Sequence, residues 1–400
     1  MLQPISAGIV GSIAGFATSF ALVIAGLQAV GATDAQASSG LLILCVTVGI
    51  ASIVFALVYR IPISIAWSTP GAALLVAAGQ NHVNFAAAVG AFIVCGVLIV
   101  LCGLWPLLGR MMTSIPKPIA SAMLAGILFP ICLAPVTAMM KHPDLAWPII
   151  LVWLIMLRIA SRWAVPAAML VAAIIIAVYA GGGWINDAAI APQLTFVPPV
   201  FDPIVIVSLG VPLFIVTMAG QNVPGFIVMS TFGYTTPTRP VLWGTGAASA
   251  LGAFFGGHAI NLAAITAAIM ASPEADPDKA KRWKATLTAG ALYLVLGLGA
   301  GVATALVAAS PPILIIAVAG LAVIGALITS ITGALEEPAH RIAAIATFLV
   351  TASGLVVLSV GSAFWGLLTG AVFMLWLRVK RPAQPKVAAE PEEITPGPTG

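Results

Sequence analysis

The chain has 400 residues, 61% hydrophobic and only 7% charged, with a mean hydropathy of +1.14 and a formal net charge of +4. Soluble domains carry about 25% charged residues, so a soluble or nucleic-acid-binding protein is excluded and the lipid bilayer is the chain's partner. The four cysteines, Cys45, Cys95, Cys102 and Cys132, fall in apolar runs without a CxxC pair or ligand spacing, which reads as packing thiols, with no metal and no cofactor.

Charged or Pro/Gly-rich breaks divide the chain into fourteen hydrophobic segments, predicted over 5–30, 38–59, 64–79, 86–108, 116–135, 145–161, 164–181, 204–222, 238–256, 258–271, 282–308, 311–330, 338–358 and 362–379. Met1–Pro4 lacks a basic n-region, so the first segment is read as a span rather than a cleavable leader. It carries Gln28 near its end, an amide that serves either a ligand or helix–helix glue.

The third segment, ISIAWSTPGAALLVAAG (Ile63–Gly79), opens as a β-like run and becomes a helix of about 10 residues. At 1.5 Å per residue that is about 15 Å, half of a hydrocarbon core of about 30 Å. Trp67-Ser68-Thr69-Pro70-Gly71 sets hydroxyls before a helix with proline in its first turn, a start that suits an anion. The bland alternative is a capped kink with Trp67 as packing.

The loop Gly182–Pro203 holds Asp187 and Asp202 and parts the chain into halves. Beyond it, Ala219–Gly225 (AGQNVPG) ends the eighth segment with Gln221 and Asn222, two amides that cannot face lipid cheaply. The tenth, GGHAINLAAITAAIMA (Gly256–Ala271), repeats the pattern of the third: a β-like run with His258 and Asn261, then a short helix of small residues. His258 is a candidate carrier of a coupling proton, or else a neutral hydrogen-bonder. Glu336-Glu337-Pro338 reads as a cytoplasmic helix cap, with gating as the alternative. Residues 382–400, Pro-rich and polar, read as a disordered tail.

An offset of 194 residues aligns the halves: Phe20, Ala25, Gly26 and Gly31 meet Phe214, Ala219, Gly220 and Gly225, while Pro118 and Gly126 meet Pro312 and Gly320. The same offset sets Trp67 on Asn261. Seven segments per repeat is odd, so the second copy (204–380) lies inverted relative to the first (1–181). The expected fold is an all-α polytopic membrane protein of fourteen transmembrane segments in two inverted repeats, segments three and ten being a short strand plus half-helix. With the N-terminus inside, fifteen of the sixteen Lys and Arg residues fall on the cytoplasmic face and Lys141 alone outside. Merging the short segments into their neighbours would move Arg110, Lys117, Arg158, Arg162 and Arg239 across.

All twelve carboxylates fall in loops, segment ends or the tail. A cation carrier usually keeps a negative group near mid-membrane. Hydroxyls, amides, an imidazole and two helix starts suit an anion instead. No P-loop, HExxH or serine-triad context supports an enzyme.

PISIAWSTPGAALL (Pro62–Leu75), TMAGQNVPG (Thr217–Gly225) and GGHAINLAAITAA (Gly256–Ala268) resemble the bacterial benzoate–proton symporter (BenE) family, over about residues 5–380. That family is similar in architecture to nucleobase and SLC26-type anion transporters. The resemblance implies a core domain (5–108 with 204–308) and a gate domain (116–181 with 311–379). It implies proton-coupled, elevator-type uptake of benzoate or a related aromatic carboxylate at a bacterial inner membrane, with both termini cytoplasmic. Related folds often dimerise, which extends to a homodimer here. The substrate would sit among Trp67, Ser68, Thr69, Pro70, Gly71, Gln28, Gln221, Asn222, His258 and Asn261. Nucleobase relatives present acids from the eighth and tenth segments, where this chain has amides and no acid, a difference favouring benzoate over uracil. A passive anion channel, a carrier of another small organic anion or nucleobase, and a non-transporting scaffold are the alternatives.

Overall fold

The computed structural model of the protein describes residues 2–79, 83–105, 116–181 and 191–378. The tail expected at 382–400 lies outside them, as do Arg110, Asp187, Lys380 and Arg381.

The first segment forms two helices, α1 (Leu2–Ala17) and α2 (Phe20–Ala29), parted at Thr18 and Ser19. Both hydroxyls turn back onto the Gly15 carbonyl, at 3.0 and 2.9 Å, a bond that competes with the helix ladder. A capping box of Thr33 and Gln36 starts α3 (Asp34–Tyr59). The third segment is β1 (Ile65–Trp67) followed by α4 (Thr69–Ala78), and Asn84 then caps α5 (Phe85–Leu104). Helices α6 (Lys117–Lys141), α7 (Pro143–Ile159) and α8 (Ala164–Ala180) complete the first half.

The second half runs through α9 (Pro203–Thr231), α10 (Thr238–Ala253), β2 (Ile260–Leu262), α11 (Ala264–Ala271), α12 (Trp283–Gly297), α13 (Ala300–Ala308), α14 (Pro312–Leu335), α15 (Arg341–Ala352) and α16 (Ser362–Arg378). Among the described residues six helical runs are long and apolar enough to cross a membrane, or seven with the span formed by α12 and α13, bent by 56°.

Helix α9 corrects the sequence reading, which ends this segment at 222. It continues to Thr231 by widening into π turns at Ile206–Gly210 and Met218–Asn222. A Val-Pro step follows each turn. Proline donates no hydrogen bond and crowds the carbonyl four residues back; the wider turn absorbs that mismatch, with Val223 N–H reaching the Met218 carbonyl. The Glu336-Glu337-Pro338 step also differs from expectation. No side chain caps the short helix there; Glu336 pairs with Lys117, and Glu337 meets His340 Nδ1 at 2.7 Å.

Packing repeats the two-fold relation seen in the sequence. Helix α4 lies on α2 as α11 lies on the end of α9, and α5 lies on α10 as α12 lies on α3, while α6 and α14 pack on each other. The α5–α10 and α3–α12 contacts both depend on missing side chains. A Cβ on Gly96 would stand 2.6 Å from the Ala250 nitrogen, and one on Gly290 would stand 2.8 Å from the Gly49 carbonyl oxygen. Gly96 and Gly290 are themselves related by the 194-residue offset.

Connecting segments meet at two ends. At one, Arg60 lies over the Trp283 ring at 5.4 Å, Arg239 donates to the Leu104 carbonyl at 3.2 Å, and Lys279 lies 4.6 Å over the Tyr234 ring. In the same end Lys281 hydrogen-bonds Asp278 and holds its carboxyl below the usual range. At the other end, Ser39 Oγ donates to the Phe255 carbonyl (2.8 Å) and accepts from Thr195 N–H (2.9 Å), while Val200 N–H reaches the Ala86 carbonyl (2.9 Å).

Candidate functional site

Strands β1 and β2 pair antiparallel in the interior, Ile65 opposite Leu262, Ala66 opposite Asn261 and Trp67 opposite Ile260. Bonds beyond the strands extend the pairing: Ser68 N–H to the Ala259 carbonyl and Ala263 N–H to the Ser64 carbonyl, both 2.9 Å. Buried backbone must be paired, and a two-strand ladder satisfies each interrupted segment with the other. Both half-helices therefore start at the same depth.

Their starts are not equivalent. Ser68 Oγ caps α4, accepting from Gly71 N–H at 3.1 Å, and it also receives the Thr217 hydroxyl at 2.9 Å. Pro70 has no N–H to offer. Helix α11 begins after Ala263, whose methyl group accepts no hydrogen bond, and no side chain caps it. Its first-turn N–H groups and the partial positive charge of the helix start are open to an acceptor.

A cavity of about 440 Å³ adjoins that start, a size ordinary for a small-molecule site. One wall is α1, with Gly11, Ala14 and Gly15, continuing to Thr18 and Ser19. Ala66, Trp67 and Thr69 form the floor with Ala263 and Thr266. Gln221 of the second π turn and Tyr293 of α12 close the sides, and Glu274 lies exposed at the rim. Trp67 is 2% exposed; its indole N–H donates to Ser19 Oγ at 2.9 Å, and its ring meets Phe16 and Tyr293 edge-on at 5.9 and 5.6 Å. Thr266 Oγ1 accepts from Ser64 Oγ at 2.9 Å.

Of the ten residues singled out in the sequence, Trp67, Thr69 and Gln221 line this cavity. Five hold its frame. Ser68 caps α4, Pro70 stacks beside Gly220, and Gly71 leaves room for Ser68 and Leu213. Asn222, fully buried, accepts from Leu262 N–H at 2.9 Å and so ties the π turn to β2. Asn261 is buried between the strands; with its amide oriented to satisfy both atoms, it donates to the Leu262 carbonyl and accepts from Ser68 N–H, both at 3.1 Å. Two residues are not brought to the cavity. Gln28 donates to Asp34 Oδ1 at 2.8 Å near the end of α2. His258 is 1% exposed with its ring edge-on to Phe92 at 6.4 Å, and neither ring nitrogen has a hydrogen-bond partner among the described residues.

Sequence reasoning missed Ser19, Thr266 and Tyr293. A hydroxyl pair inside an apolar helix signals Ser19, and a lone mid-segment tyrosine signals Tyr293; Thr266 carries no such mark. Among the described residues no group of His, Cys, Asp or Glu is placed to hold a metal ion.

Two inverted repeats whose broken segments meet beside an interior cavity define a membrane transporter rather than an enzyme. The family model for the benzoate membrane transport protein matches residues 1–375. The chain is 41% identical over 367 residues to the inner membrane protein YdcO of Escherichia coli strain K12, covering 92% of this chain and 93% of that protein. It is 34% identical over 322 residues to the benzoate membrane transport protein of Acinetobacter baylyi, covering 79% and 81%. The chain belongs to the benzoate membrane transport (BenE) family. Among solved structures it is similar to the transmembrane domain of the cyanobacterial bicarbonate transporter BicA, with a TM-score of 0.59 at 17% identity over 93% of this chain and 98% of that one. It is similar also to SLC26A9, with a TM-score of 0.58 at 14% identity over 94% and 65%. Identities this low establish the shared fold alone.

Proposed function

We propose that the protein carries benzoate or a closely related aromatic carboxylate across a bacterial inner membrane together with a proton. The observation that carries this reading is the uncapped start of α11 beside a cavity walled by Trp67. A carboxylate there would accept from the first-turn N–H groups of α11, with Thr69 and Gln221 as further donors. The ring would pack on the Trp67 indole and the small residues of α1. Charge-assisted hydrogen bonds are the strong ones, and among the described residues the only carboxylate lining the cavity, Glu274, is at the rim.

The basic residues gathered at the end holding Arg60, Lys117, Arg239 and Lys279 support placing that end, and both termini, in the cytoplasm. Glu274 belongs to the same end, so the cavity would open inward. Helices α1–α5 and α9–α13 would form the moving core, with α6–α8 and α14–α16 the gate. A cavity open toward one side suits a carrier rather than a channel.

Two proton carriers fit. A benzoic acid titrates near the range of Asp and Glu side chains, about 4, and could bring its own proton. His258 is the other, an imidazole buried against Phe92 with neither ring nitrogen partnered among the described residues.

Proteoliposomes with an inward proton gradient are expected to concentrate labelled benzoate, saturably, and a protonophore is expected to abolish the accumulation. Uptake indifferent to the gradient overturns the coupling, and a steady current without saturation overturns the carrier.

A further inference from the structure

We propose, resting on the aromatic-carboxylate reading above, that Tyr293 is a specificity-determining residue whose hydroxyl contacts a polar substituent on the substrate ring, so that the site takes ring-hydroxylated aromatic acids through a hydrogen bond that benzoate cannot make. Tyr293 sits mid-way along α12 and is 3% exposed, with its ring edge-on to Trp67 at 5.6 Å. Its hydroxyl has no hydrogen-bond partner among the described residues, although it stands at the wall of the cavity. A buried phenol needs a partner. Its oxygen packs on α1 at Gly15, where an added Cβ would lie 2.7 Å from it and 3.4 Å from the Thr266 methyl carbon. The hydroxyl is therefore left to whatever fills the cavity.

The cavity then offers two kinds of contact. The start of α11 and Gln221 suit the carboxylate that every such acid shares. Tyr293, edge-on to Trp67, reads what differs between them. A site able to hydrogen-bond a substrate hydroxyl discriminates against the analogue lacking it more strongly than an apolar pocket does.

The test is competition against labelled benzoate in proteoliposomes by unlabelled benzoate, 3-hydroxybenzoate, 4-hydroxybenzoate and 4-methylbenzoate, for the unaltered protein and Tyr293→Phe. Phenylalanine keeps the ring and removes only the hydroxyl, so the readout is each acid's affinity relative to benzoate in the same variant, whatever the change in benzoate affinity itself. The affinity of at least one hydroxybenzoate relative to benzoate is expected to fall about tenfold, the equivalent of one hydrogen bond of about 1.4 kcal/mol. The ratio for 4-methylbenzoate is expected to stay unchanged. Unaltered hydroxybenzoate-to-benzoate ratios in Tyr293→Phe, with benzoate still bound, overturn the role of Tyr293 alone. If the unaltered protein binds none of the four acids, the aromatic-carboxylate reading falls and this one with it. Should Tyr293→Phe fail to fold, Gly15→Ala probes the same contact by displacing the phenol, and unchanged ratios there also overturn the assignment.

Discussion

Trp67 donates its indole N–H to the Ser19 hydroxyl at 2.9 Å, tying the strand pair to the break between α1 and α2. The partner residues lie in two different segments, and the bond fixes the aromatic floor of the cavity against its wall. Ser19→Ala leaves a buried N–H unpaired, which costs about 1–3 kcal/mol. Thermal unfolding in detergent is expected to shift down, and benzoate affinity is expected to fall as the indole loses its anchor.

Gln221 and Asn222 are adjacent yet are expected to fail differently. Asn222→Ala removes the acceptor for Leu262 N–H inside the core and is expected to destabilise the fold by about 1–3 kcal/mol. Gln221→Ala changes a cavity-facing group and is expected to leave the melting temperature nearly unchanged while reducing uptake at least tenfold. Paired melting and uptake measurements on the two variants check this.

Ala263 is the residue that keeps α11 open. Ala263→Asp supplies an N-cap, a change worth about 1 kcal/mol to a helix, and places its own carboxylate where the substrate's would sit. The variant is expected to purify as folded protein and bind no benzoate. Retained binding at normal affinity would mean that the carboxylate goes elsewhere.

Gly96 is expected to tolerate no side chain. Gly96→Val drives its branched group against the Ala250 nitrogen and the Gly246 carbonyl, both on α10, which only a backbone shift relieves. Overpacking of this kind costs about 1–3 kcal/mol, sometimes more. Loss of monodisperse protein on size exclusion is the expected outcome.

Much of the architecture is legible in the residues. Ile63–Gly79 and Gly256–Ala271 are too short for full spans, and the 194-residue offset sets them against each other, as the strand register from Ile65–Leu262 to Trp67–Ile260 does. The end of α9 is not legible, because Pro224 reads as a stop and only the surrounding packing reveals that a π turn absorbs it. The site is legible in part. Trp67 and Gln221 announce themselves as polar or amphipathic groups at membrane depth, but the same signal marks Asn222 and Asn261, which serve the backbone. Gln28 carries that signal as well and answers to Asp34. What separates a ligand-facing amide from a structural one is its neighbour in space, and Tyr293 comes to notice only by meeting Trp67 edge-on at the cavity wall.

Binding of benzoate and benzamide to the purified protein at neutral pH is the most direct check, since the two share a ring and differ in the anionic group. Hydrogen bonds to a charged acceptor are worth about 1.5–3 kcal/mol, so benzoate is expected to bind at least tenfold more tightly, with the preference lost in Ala263→Asp. Equal affinity for the two would contradict a carboxylate held at the open start of α11.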